Sequence, residues 1–264
     1  MEETCMTDVV LSERKGALAW VTINRPEKMN ALNLPVWQGV GDAFIDLSKD
    51  ESVRCVVLRG AGVKAFAPGA DIDEFDSLRA TPKQAKEYDQ VMRRALAAAA
   101  LCPKPTLAMI HGPCVGGGLE LACQCDIRIA GKSARFGVPI ARIGVVMAHP
   151  ELACIARLIG PSRALEILLE AKVIDAATAL AWGLIARVVE DEALMEEVEA
   201  TASRILAGSP LVHRWHKSFI RRLEDKSPVS GQELDEAYRF LETGDYREGV
   251  AAFLAKRKPD FTGI

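Results

Sequence analysis

Nowhere does the 264-residue sequence carry an apolar run long enough to cross a bilayer: the longest, such as Ala95 to Cys102, stop well short of the ~20 residues required. The opening Met1-Glu2-Glu3-Thr4-Cys5 lacks the basic and apolar regions of a secretory signal, so a cytoplasmic protein is expected. An excess of charge of one sign is also missing. With 33 basic and 36 acidic residues the net charge is −3, which creates no field to gather nucleic acid or an anionic membrane, and any anionic ligand must be held by local groups. Signs of a disulfide framework are lacking too: the seven cysteines are an odd number, scattered through the hydrophobic pattern, which suits buried thiols of a reducing compartment better. His111, Cys114, Cys123 and Cys125 are metal-ligand types, but their His-x-x-Cys and Cys-x-Cys spacings match no common zinc knuckle, and no metal is expected. Internal repeats, low-complexity tracts and long linkers are absent too.

What is present suits a sizeable core, since 49% of the residues are hydrophobic. The short apolar segments Val9 to Ser12 and Leu18 to Ile23, separated by the polar Glu13-Arg14-Lys15-Gly16, predict a hairpin. Asn33 before Leu34-Pro35 is an N-cap followed by an early-turn proline, opening a helix to about Ser48. Val53 to Leu58 is a continuous apolar run typical of a strand covered on both faces. A helix from Pro82 to Leu101 and strands at Thr106 to Ile110 and Asp126 to Ala130 complete an α/β rhythm. Beyond residue 150 the pattern turns helical: Glu151 to Ile159, Arg163 to Leu169, Ala176 to Trp182, Leu194 to Leu206 and Pro210 to Arg222, with one strand-like stretch at Leu184 to Val189. A core over residues 1–200 and a helical oligomerisation region over 201–264 are expected.

The chemistry is concentrated in Gly116-Gly117-Gly118-Leu119-Glu120, between the Thr106 to Ile110 strand and an apolar helical pattern. Three glycines let backbone N–H groups approach a ligand without interference from side chains. A helix starting among them presents unpaired N–H groups at its positive end, suited to a developing oxyanion. Glu120, three residues after Gly117, shares its helical face. Upstream, the loop Lys64-Ala65-Phe66-Ala67-Pro68-Gly69-Ala70-Asp71-Ile72 follows a strand and can turn the N–H of Ala70 inward as a second donor. Two donors and a carboxylate in one small volume are an arrangement for chemistry beside a carbonyl.

In these segments, and nearly end to end, the sequence resembles the crotonase, or enoyl-CoA hydratase/isomerase, superfamily. Asn24 to Leu32 is similar to its CoA-contacting loop, Phe66 to Ile72 to its first oxyanion segment, and His111-Gly112 with Gly116 to Ala122 to its second. Arg135 to Pro139, Gly144, Arg157 to Gly160, Ala181 to Leu184 and Arg247 to Arg257 continue the match in order. The resemblance implies the ClpP-like crotonase fold of stacked, near-perpendicular sheets flanked by helices, assembled as trimers or dimers of trimers through the C-terminal helices. It also implies an acyl-CoA thioester substrate whose carbonyl accepts from Ala70 and Gly117, with no cofactor beyond the substrate's own coenzyme A. Substrate contacts are then expected at Lys28, Met29, Ala31, Asp71, Ile72, Gly116, Ile140 and Ala148, with Arg25, Lys256 and Arg257 as candidates for the CoA phosphates, and with Asp71 holding its loop in shape.

Hydratases of this family divide acid and base work between two glutamates. Glu120 supplies the first, whereas the second position is Ile140, which cannot exchange a proton. His149 and Glu151, at the start of the next helix, are the candidate replacements; a cap or solvent contact is the competing explanation for each. Glu120 itself has the alternative of a structural ion pair with Arg142 or Arg128. An enoyl-CoA hydratase or isomerase is the expected activity, against a decarboxylase, a hydrolase or a weakly catalytic acyl-CoA-binding protein.

Overall fold

The computed structural model describes residues 8–264, so Cys5 and the N-terminal segment lie outside the described residues. Strands β1 (Val10–Lys15) and β2 (Leu18–Ile23) pair antiparallel across Gly16 and Ala17. The strand therefore runs three residues beyond the expected Ser12. Glu13, Arg14 and Lys15 are exposed residues of an edge strand, where polar side chains face water without ending the pairing. Helix α1 (Leu34–Lys49) leads to β3 (Cys55–Gly60). The short α2 (Phe75–Leu78) and long α3 (Pro82–Leu101) lead to β4 (Thr106–Ile110), then β5 (Pro113–Val115) and α4 (Gly117–Cys123). Next come β6 (Ile127–Gly131), β7 (Arg135–Gly137), α5 (His149–Glu170), β8 (Val173–Asp175), α6 (Ala176–Ala181), β9 (Arg187–Val189) and α7 (Leu194–Leu206). Helices α8 (Pro210–Arg222), α9 (Gly231–Asp235) and α10 (Gly244–Leu254) close the chain.

Six strands form one sheet in the order β1-β2-β3-β4-β6-β9, parallel from β2 onward, and β5-β7-β8 form a second. The large sheet is buried on both faces, and alternation along its strands says by what. Ala19, Val21, Val56, Leu58, Ala108 and Ile110 join the main core with α1, α3 and α4. Their neighbours Leu18, Trp20, Cys55, Val57, Leu107 and Met109 meet Leu194, Val198 and Ala202 of α7 on the other side. Residue 200, the expected boundary, thus falls inside a helix that seals the sheet.

Local signals place the helix ends. The Asn33 side chain accepts from Val36 N, and Thr81 and Gln84 form a reciprocal capping box ahead of Pro82. The two helices expected around residues 151–169 are present as the two arms of α5, separated at Gly160, whose φ of 78° no helix accommodates. Cys55, Cys102, Cys114, Cys123, Cys125 and Cys154 are free and buried. Burial pushes the Cys55 and Cys125 thiols up to about 12, so neither is a nucleophile near neutrality. His111 lies against Asp191, with Nδ1 3.3 Å from Oδ1.

Candidate active site

Because β3 and β4 are parallel, the loops that follow them emerge at the same edge of the sheet. The two loops are stitched together: Phe66 and Ala67 N–H donate to Pro113 O, and Val115 N–H donates to Ala67 O. Gly118 packs so closely that a Cβ there would lie 2.3 Å from Ala67 O. Leu32 pairs with Ala70 by donating to Gly69 O and accepting from Asp71 N–H, at 2.8 and 2.9 Å. This parallel bridge uses the groups flanking Ala70, so its own N–H points to the opposite side. Gly117 begins α4, and neither its N–H nor that of Ala70 has a hydrogen-bond acceptor among the described residues. Gly69 and Gly116, both at positive φ, bring the loops within van der Waals reach: a Cβ on Gly116 would lie 3.7 Å from the Gly69 Cα.

Ala70 and Gly117 border a cavity of about 360 Å³, closed further by Trp37, Phe75, Tyr88 and Met92, by Ile140, and by Met147 and Ala148. Three carboxylates reach it: Asp89, which is paired with Arg79 and Arg93, and the buried Glu120 and Glu151. Glu120, one turn into α4, is 6% exposed and has Oε2 buried without a partner. Glu151, in the first turn of α5, is 2% exposed; its Oε1 accepts from Arg93 Nε at 2.9 Å and its Oε2 is equally unpartnered. Burial, and then the nearby charge of Glu151, push the Glu120 carboxyl from 4.5 up to about 7. Arg128 donates to Leu184 O and Cys125 O, and Arg142 is exposed, so neither pairs with Glu120.

Residues 13–263 match the family model described as enoyl-CoA hydratase/isomerase. The chain is 35% identical over 254 residues to the crotonyl-CoA hydratase of Syntrophomonas wolfei, covering 96% of this chain and 97% of that one. It is 29% identical to the 1,2-epoxyphenylacetyl-CoA isomerase of Escherichia coli, covering 98% and 100%. A crystal structure of an enoyl-CoA hydratase/carnithine racemase from Magnetospirillum magneticum shares 62% identity with it at a TM-score of 0.96, covering 98% of this chain and 97% of that one. This chain belongs to the enoyl-CoA hydratase/isomerase family. Its fold is the crotonase fold, and it is an enzyme of the enoyl-CoA hydratase/isomerase type.

Of the residues that the family resemblance nominated, Ala70, Ile72, Gly116, Gly117, Glu120, Ile140, Ala148 and Glu151 line the cavity. His149 does not. It is exposed, because residues two apart on a helix point in nearly opposite directions and Glu151 takes the inward one. Lys28, Met29, Ala31 and Asp71 also lie outside the cavity wall. Asp71 is buried and joined to Arg25 Nη2 at 2.8 Å, while Arg25 Nη1 donates to Ala31 O, so this pair clamps two loops together. Lys28 pairs with Asp73, and Arg257 pairs with Glu248.

Three contributions in this family member went unnoticed in the sequence. Asn30 is buried at positive φ and latches its loop, donating to Ala61 O and Ala65 O and accepting from Arg25 N–H. Arg93 holds Glu151, and its i,i+4 relation to Asp89, at 3.6 Å, was the readable sign of a charged helical stripe. Arg79 lies over the Phe75 and Tyr88 rings and within 3.5 Å of Asp89, at the cavity wall.

Proposed function

We propose that the cavity binds an acyl-CoA thioester with its carbonyl oxygen between the N–H groups of Ala70 and Gly117, and that Glu120 and Glu151 divide the proton transfers on the enoyl group. The carrying observation is the pair of buried, unpartnered carboxylate oxygens beside two unpartnered backbone donors in one cavity. As negative charge moves onto the thioester oxygen, the two N–H groups stabilise it, each worth about 3 kcal/mol in comparable sites. Glu120 keeps a proton to about pH 7, and the Arg93 guanidinium holds Glu151 in place. The protonated Glu120 is therefore assigned as the acid and Glu151, beside a cation, as the base.

In hydration, Glu151 takes a proton from water while the oxygen adds to the β carbon. The alkene electron pair moves onto the thioester as an enolate, and Glu120 then protonates the α carbon. Ile140 leaves the usual second position apolar, and α5 supplies the carboxylate from another direction. The relatives named hydratase and isomerase use names that this one enolate step can serve.

The test is a rescue. Glu151→Gln should lower turnover of crotonyl-CoA by about 10²- to 10⁴-fold, and adding Ile140→Glu to that variant should restore some of it. Full activity in Glu151→Gln would remove this residue from the mechanism. The proposal extends to assembly: the C-terminal helices expose Ile220, Leu234, Tyr238, Phe253 and Leu254, an apolar surface suited to contact with further copies of this chain in a trimer or dimer of trimers.

A further inference from the structure

At the edge where β3 and β4 begin, opposite the loops that carry Ala70 and Gly117, lies a separate cavity of about 240 Å³. Strands of five and six residues separate the two edges by roughly 15–20 Å at about 3.3 Å per residue. This cavity sits between the segments just before β3 and β4, the first turn of α8 and residues 262–264. Its lining is cationic. Lys104 is only 4% exposed, and its ammonium has no hydrogen-bond or ion-pair partner among the described residues. Arg214, half-buried, likewise has no carboxylate among the described residues. Arg54 donates Nη1 to Phe261 O at 3.0 Å and Nη2 to Gly208 O at 2.7 Å, but its Nε is buried without an acceptor.

Neutral carbonyls fix the Arg54 guanidinium in place. The acids in the lining are the exposed Glu51 and the α-carboxyl of Ile264, whose O accepts from Gly244 and Asp245 N–H; neither forms an ion pair with Lys104, Arg54 or Arg214 among the described residues, and the neighbouring Asp50 is engaged by Arg14 and Ser52. An ammonium largely removed from water without an ion-pair partner is unfavourable, and adjacent guanidinium groups add repulsion. Burial, followed by the Arg214 charge, accordingly holds Lys104 below the usual lysine range.

We infer that this cavity is an anion site for a phosphate group, separate from the acyl-CoA cavity. A phosphate group matches donors converging from different elements: the forked Arg214 offers paired donors and Lys104 a compact charge, beside the fixed charge of Arg54. The space admits a phosphate and a small substituent, so free phosphate and a small phosphate monoester share the recognising chemistry. The inference stands apart from the assignment of Glu120 and Glu151.

Thermal unfolding and calorimetric titration of the full chain with inorganic phosphate test it, with ionic strength held by sodium chloride and protein concentration fixed. A saturable rise in the unfolding midpoint with low-millimolar or tighter affinity is expected, absent with chloride alone. Lys104→Met should unfold at a higher temperature than the wild type without phosphate, having lost an unfavourably buried cation, and should bind phosphate at least about tenfold more weakly. Arg214→Leu gives the same loss of affinity from a half-buried position, so the result does not hang on one variant folding. Crotonyl-CoA turnover should stay unchanged in both. A parallel titration with glycerol 3-phosphate decides the source: binding there as well assigns a metabolite's phosphate group, and binding of inorganic phosphate alone assigns the free ion. Equal responses to phosphate and chloride, or wild-type affinity in both variants, would overturn the inference.

Discussion

At the scale of single residues, the two buried carboxylates of the cavity are held in different ways. Glu120 is governed by burial, which raises its folded-state value from 4.5 to about 7. Between those two values the folded chain holds a proton that the unfolded chain has released. The stabilisation from this group is therefore complete below 4.5 and is lost as pH climbs through about 7. Glu120→Gln should remove that fall and gain on the order of 3 kcal/mol over the wild type at about pH 8. Denaturant titrations of both proteins at about pH 5 and about pH 8 check this. An unchanged difference between the two pH values would mean that the Glu120 carboxyl is not desolvated. The same substitution should lower turnover by about 10²- to 10⁴-fold while acyl-CoA binding persists, since the amide keeps the shape and cannot carry the proton. Glu151, by contrast, depends on a partner. Arg93→Met removes the donor that positions a buried carboxylate, so turnover of crotonyl-CoA should fall, with Arg93→Lys partly restoring it. Turnover identical to that of the wild type would remove Arg93 from the positioning of Glu151.

At the scale of elements, α4 is a seven-residue helix whose position is set by glycine rather than by its own length. Any Cβ at Gly118 meets Ala67 O at 2.3 Å, so Gly118→Ala must push α4 and the loop of Ala67 apart. A loss of about 3 kcal/mol in stability together with a fall in kcat is expected, measured by denaturant unfolding and steady-state kinetics. Retained activity would show that the loops have slack. The elements that were legible in the sequence are those with strong local signals. Thr81-Pro82 and Ser209-Pro210 mark the starts of α3 and α8, and the five-residue run of β4 is apolar throughout. The second sheet was not read residue by residue, because β5, β7 and β8 are three residues each, too short to display alternation. The expected strand from Leu184 shrinks to Arg187–Val189 because Gly183, at φ 79°, and Leu184 finish the turn after α6. Within the site, the glycines and Glu120 could be read from their spacing. The choice of Glu151 over His149 could not, since it depends on how α5 is rotated against α3.

At the scale of the whole molecule, the sheet works as a two-edged plate: the cavity of Glu120 and Glu151 opens where its central parallel strands end, and the cavity of Lys104 and Arg214 where they begin. Packing on both faces by α1, α3 and α7 fixes those edges relative to each other. The C-terminal helices lie outside that plate and leave Phe253 84% exposed. Sedimentation of the wild type should therefore show trimers or hexamers, and Phe253→Asp with Leu254→Asp should shift the population toward monomers. A wild type that sediments as a monomer at all concentrations would contradict the proposed assembly.

The central claim is that two main-chain N–H groups from separate loops hold one thioester oxygen beside Glu120. A crystal structure with a bound acyl-CoA tests it most directly. The account predicts the thioester oxygen within about 3.1 Å of both Ala70 N and Gly117 N, with a Glu120 carboxyl oxygen over the α carbon. A thioester oxygen that contacts neither amide, or an acyl group outside the cavity that Glu120 and Glu151 share, would contradict it.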